Sequence, residues 1–108
     1  MIVNEIYRGD DKIYELTVKD KQTGLVVDIT GCTITMTWRE HPDGSIFLQR
    51  NFTLTDPTNG VAEIEILAAD TQSLTEKKEF FFDVYILKPT GKGETLLKGK
   101  FIVELDVT

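Results

Sequence analysis

The chain is poor in the residues from which reactive sites are usually built. It has one cysteine, Cys32, and one histidine, His41, in 108 residues. A lone thiol excludes an internal disulfide, which fits folding in a reducing cytoplasm. Zinc centres need several His, Cys or carboxylate ligands at set spacings, and those spacings are missing. Basic residues are outnumbered, 12 Lys and Arg against 18 Asp and Glu, for a net charge of −6. Nucleic acid and anionic lipid both require clustered basic surface, so no nucleic acid and no membrane are expected as partners. Long apolar runs are absent too. The most apolar window, Phe80–Leu87, is broken by Asp83, whereas a membrane span takes about 20 apolar residues. The N-terminus, MIVNEIYRGDD, has neither the basic start nor the apolar stretch of a secretory signal.

What is present is a period of two. The 41% apolar content suffices for a globular core, and the length suits one domain, 1–108. In Lys12–Lys19, Tyr14, Leu16 and Val18 share one face. In Cys32–Glu40, Cys32, Ile34, Met36 and Trp38 point one way; Thr33, Thr35, Thr37 and Arg39 point the other. A strand sorts residues in this manner and a helix scatters them. In Val61–Ala68, Ala62, Ile64 and Ile66 face in, and Glu63 and Glu65 face out.

Turn chemistry separates the runs. His41-Pro42-Asp43-Gly44 is expected to join the Cys32 strand to a strand over Ser45–Thr55, with Gly44 free to take positive φ. Asp56-Pro57-Thr58-Asn59-Gly60 precedes Val61, and Asn-Gly is a strong hairpin signal. Gly91-Lys92-Gly93 divides Glu79–Lys88 from Thr95–Leu105. Ala69 to Leu74 breaks the rhythm; Asp70 is expected to cap one helical turn, with Leu74 entering the core. A short strand, Ile2–Tyr7, comes first. Arg8-Gly9-Asp10 follows it; this tripeptide is read by animal adhesion receptors elsewhere, but here it reads as the turn before Lys12. The total is about seven strands, for which two packed sheets are the natural arrangement.

No constellation for catalysis emerges. His41 lies in a polar turn. Cys32 falls on a dry face, where a thiol is inert. Glu63 and Glu65 share a wet face, and Asp20 to Gly24 supplies a single acid for calcium, too few for a site. No enzyme activity and no cofactor are expected. One strand stands out. Phe80, Phe82, Val84 and Ile86 make one apolar row, and Phe81, Tyr85 and Leu87 make a second on the opposite face. A strand apolar on both faces is covered twice or presents an interface, so Phe81, Tyr85 and Leu87 are the candidate partner-binding residues.

The landmarks in order carry a resemblance. They are Arg8-Gly9-Asp10, VKDKQTGLVVDITGCTITMTW with its Asp28-Ile29-Thr30-Gly31 turn, TDPTNGVAEIEI, Asp70-Thr71 with Leu74, Phe82-Asp83-Val84, and LLKGKFIVELDVT ending at Thr108. Together they resemble the N-terminal immunoglobulin-like domain of phage baseplate upper proteins. The resemblance implies an all-β, two-sheet immunoglobulin-like sandwich of about seven antiparallel strands. It implies a structural or docking module of a phage or prophage tail, localised to the virion and assembled in the bacterial cytoplasm. Other virion or tail proteins would be its partners, and an open sheet edge would favour a homo-oligomer. The family's domain often precedes a longer part, and Cys32 stands where the family usually has alanine. Antibody-type Cys…Trp…Cys spacing is lacking, so the likeness is one of topology. The alternative is a carbohydrate- or surface-binding β-sandwich module of a bacterial protein.

Overall fold

A computed structural model describes residues 2–105. Residue 1 and the last three residues of the LLKGKFIVELDVT landmark lie outside the described residues. In chain order come β1 (Ile2–Tyr7), β2 (Lys12–Thr17), β3 (Thr33–Arg39), β4 (Ile46–Asn51), β5 (Thr53–Asp56), a 3-10 turn (Pro57–Asn59), β6 (Val61–Ile66), α1 (Ala68–Thr71), β7 (Lys78–Leu87) and β8 (Gly93–Glu104). A five-stranded sheet has the order β1-β8-β7-β3-β4, and a three-stranded sheet the order β2-β6-β5. Among the described residues no helix is long and apolar enough to cross a membrane.

Both sheets contribute to one apolar cluster. Ile34, Met36 and Trp38 of β3 are buried, as are Ala62, Ile64 and Ile66 of β6 and the Phe80, Phe82, Val84, Ile86 row of β7. Tyr14, Leu16 and Cys32 pack against them half-buried. Trp38 stacks on Phe101 of β8 at 4.4 Å between centroids and meets Phe80 at 5.4 Å. Phe47 of β4 stacks on Phe80 at 4.4 Å. Tyr14, from the smaller sheet, meets Phe101 edge-on at 5.4 Å. Burying such a side chain stabilises the fold by about 1.5–3 kcal/mol, and a favourable ring pair adds about 0.5–1.5 kcal/mol.

The architecture departs from the sequence expectation in two ways. The strand expected over Ser45–Thr55 is two strands, so the described residues form eight strands. The chain leaves the larger sheet after Asn51 and enters the smaller one at Thr53. At the corner, Phe52 donates its N–H to the Ile34 carbonyl at 2.8 Å. Leu48, Arg50, Phe52 and Leu54 hold one alternating register through the corner, so the pattern shows no break. Secondly, the strands are not all antiparallel. β1 runs parallel to β8, from Ile2 opposite Gly99 to Tyr7 opposite Glu104. Side-chain alternation assigns a face to a strand but carries no information about the direction of its neighbour.

Local details also differ. Gly44 does not take positive φ; its N–H closes a turn on the His41 carbonyl at 2.9 Å. Gly60 does, at φ 73°, and a Cβ there would lie 2.7 Å from the Val27 oxygen. Asp70 acts from inside the first turn of α1, accepting the Leu67 N–H at 2.7 Å. Asp11 accepts the Ala68 N–H at 2.7 Å, and Leu74 packs on the core as expected.

Gly99 is where the parallel pair closes. A methyl there would overlap the Ile2 carbonyl oxygen and come within 2.6 Å of the Phe82 ring. Gly99→Ala is expected to cost about 1–3 kcal/mol through overpacking, lowering Tm by about 4–8 °C per kcal/mol. Amide exchange should show β1 losing protection first. Gly9→Ala, at φ 83° with open space around it, should cost about 1–2 kcal/mol from backbone strain and leave β1 protected.

Candidate docking surface

β7 turns Phe81, Asp83, Tyr85 and Leu87 away from the core. On one side, β3 sets Arg39, Thr37, Thr35 and Thr33 opposite them in that order. On the other, β8 sets Lys100 opposite Phe81 and Lys98 opposite Asp83. The three apolar side chains named from the sequence share this face but not one environment. Phe81 is half-buried, with the Lys100 ammonium 5.2 Å above its ring. It lines a hollow of about 280 Å³ together with Arg39, Pro42, Asp83 and Lys98. Tyr85 and Leu87 lie beyond Asp83 and are 42% and 43% exposed. The Tyr85 ring rests over Gly93, where a Cβ would collide with its hydroxyl. A register shift between Val84 and Tyr85 accompanies this contact.

Other apolar surface escaped the sequence reading. Ile2, Val3 and Tyr7 of β1 are 46%, 54% and 57% exposed, and Leu25 in the β2–β3 connection is 68% exposed. The signal in β1 was legible: IVNEIY is apolar at both parities, the same feature that singled out β7.

The residues tested for chemistry are engaged structurally or spread apart. In the Arg8-Gly9-Asp10 tripeptide, Gly9 has φ 83° and donates its N–H to Thr71 Oγ1 at 3.0 Å. Arg8 donates from Nη1 to the Leu74 carbonyl at 3.0 Å, so the tripeptide is a turn bound to the segment around α1. Asp20 accepts the N–H groups of Gln22 and Thr23, and the Thr23 bond leads in holding its carboxyl below the usual range. Asp28 is depressed similarly, first by the Thr30 hydroxyl. Cys32 is half-buried and unpaired. His41 is exposed, on a hollow of about 590 Å³ that also holds Glu40, Glu76 and Lys78. Lys78 bridges to Glu40 at 2.8 Å and to Glu76 at 3.4 Å. Among the described residues no group of three or more His, Cys, Asp or Glu side chains is placed to hold a metal ion.

A charged clamp joins β4 to α1. Arg50, inward on β4, donates from Nη2 to Asp70 Oδ1 at 2.8 Å and from Nη1 to Oδ2. It also reaches the Glu65 carbonyl at 2.8 Å. The clamp thereby ties the larger sheet to the segment that follows β6. The Arg50 hydrogen bonds pull the Asp70 carboxyl below its ordinary range and raise the guanidinium.

These observations describe a two-sheet β domain in which several polar side chains are engaged in turns and in the Arg50–Asp70 clamp. The profile described as the BppU N-terminal domain matches residues 3–101. The chain therefore belongs to the N-terminal domain family of phage baseplate upper proteins. No curated protein matches it. Membership places it among the structural proteins of the phage baseplate, in the virion tail, where such domains associate with other tail proteins.

The clamp sets an acid limit. The Asp70 pKa is depressed in the folded chain, so its contribution is fully present above the unfolded value of about 3.9. It is lost as pH falls through the folded value. Asp70→Asn is expected to cost about 1–3 kcal/mol near neutral pH, the range for a charge-assisted bond left unmade. Urea melts repeated at decreasing pH should show a shallower acid loss in the variant than in the parent chain.

Proposed function

We propose that the chain is a non-catalytic docking module of a phage or prophage baseplate. Its two sheets form a single immunoglobulin-like sandwich domain over 1–108, and the outward face of β7 meets another tail protein. The observation that carries this reading is the position of Tyr85 and Leu87. Both stand exposed on a strand whose other face is the centre of the core, so the surface is rigid before it binds. Preorganised apolar groups on a fixed strand lose little freedom on contact. Phe81, under Lys100, forms the edge of the patch, and Asp83 with the threonines of β3 supplies polar surround. Tyrosine is a residue type enriched where binding energy concentrates.

Binding of the purified chain to baseplates isolated from phage tails tests the reading. Phe81→Ser with Tyr85→Ser is expected to weaken it tenfold or more, about 1.4 kcal/mol, with the thermal melt retained. Gly93→Ala, whose methyl takes the seat of the Tyr85 ring, should weaken the same binding without removing a side chain. Unchanged affinity in both folded variants would show that this row is not the interface. The carbohydrate-binding alternative draws on the same exposed Tyr85 ring. Glycan-array hits that disappear in Tyr85→Ser would favour it over protein docking.

A further inference from the structure

β1 is an edge of the larger sheet, and its free side is arranged to receive another strand. Arg8 donates its N–H to the Glu104 carbonyl at 2.8 Å, and Tyr7 stands opposite Glu104 in the parallel ladder. Even-numbered residues of β1 therefore aim their backbone groups at β8, and Val3, Glu5 and Tyr7 aim theirs outward. The Tyr7 carbonyl accepts the Asp10 N–H. Among the described residues, no strand pairs with the outward groups of Val3 and Glu5.

The other edges carry features that discourage pairing. β4 has the inward charge of Arg50, held by Asp70. β5 is four residues long with a register shift between Leu54 and Asp56. β2 opens on Lys12, on the same side as buried Ile66. β1, IVNEIY, has no lysine, arginine or proline, and Ile2, Val3 and Tyr7 are exposed.

We propose that two copies of the chain pair antiparallel through β1 about a two-fold axis, joining their five-stranded sheets into one continuous sheet. The inference concerns a different surface from the β7 row and does not rest on it. A two-fold axis normal to the sheet keeps inward residues inward, so residues of equal parity must meet. A register centred on Glu5 would oppose Glu5 to its own copy, which like charges disfavour. A register centred on Asn4 avoids this. It pairs Val3 with the second copy's Glu5, and the reverse, satisfying the four outward N–H and C=O groups of Val3 and Glu5 on each side. It sets Ile2 beside the second copy's Ile6 on the inward face, and Asn4 beside the second copy's Asn4 on the axis. On the outward face, Glu5 and the second copy's Lys100 flank the second copy's Val3, because Val3 stands opposite Lys100 within each chain. This self-complementarity selects a second copy as the occupant.

Sedimentation equilibrium of the purified chain is expected to give twice the 12.2 kDa chain mass. Val3→Pro removes an outward N–H and leaves the β8 ladder intact; it should halve the mass while the chain stays folded, with a Tm that no longer rises with protein concentration. Asn4→Cys in a Cys32→Ser background places the two thiols on the axis. Cα atoms in such a non-hydrogen-bonded pair are about 4.5 Å apart, within disulfide reach. Mild oxidation should then give a covalent dimer, and Glu5→Cys in the same background should not. A chain monomeric at every concentration, or a folded Val3→Pro that stays dimeric, would overturn the proposal. Cross-linking through Glu5→Cys alone would overturn the register. If Val3→Pro fails to fold, the two cysteine variants decide. All of these readouts use the purified chain, so their failure leaves the baseplate-binding result untouched.

Discussion

The structure depends on how Trp38 is enclosed. Its indole packs against Phe101 and Phe80, from two neighbouring strands, with Phe47 stacked on Phe80 from a third. Tyr14 brings the smaller sheet onto the same group through Phe101. The indole Nε1 is buried without a protein hydrogen-bond partner, a cost of about 1–3 kcal/mol that several buried rings together exceed. With Trp38 fixed, the inward parity of β3 is fixed. Its ladder with β7 then decides which side chains of β7 reach the surface. The outward exposure of Tyr85 and Leu87 is thus set from within the core.

Much of this was legible residue by residue. Ile2–Tyr7 is a strand with the bounds its composition suggested, and the rows of β3, β6 and β7 bury the apolar residues their alternation named, except that Cys32, just before β3, is half-buried and Thr37 of the outward row is buried too. What was hidden is non-local. The corner at Phe52 leaves no mark because Leu48, Arg50, Phe52 and Leu54 keep alternating through it. The parallel partner of β1 leaves none because pairing direction is a backbone property. Arg50 and Asp70 meet across 20 positions, a contact that no local pattern announces. On the candidate surface, the outward side of Phe81, Tyr85 and Leu87 was readable. Their unequal exposure was not, since it depends on Lys100 and Gly93, which only the β8 register delivers.

The polar groups have one theme in common. Asp20 and Asp28 hold loops through backbone N–H groups, Asp11 and Asp70 hold α1, and Thr71 holds the turn at Gly9. Four aspartates thus hold loops and α1 in place.

The parallel union of β1 with β8 has a mechanical consequence. Tension entering at Ile2 and leaving at Glu104 would drag the two strands past each other along their length. Every rung of that ladder then resists at once, in shear, where an antiparallel hairpin would unzip one rung at a time. The first and last strands among the described residues thus form a seam that resists load applied along its length.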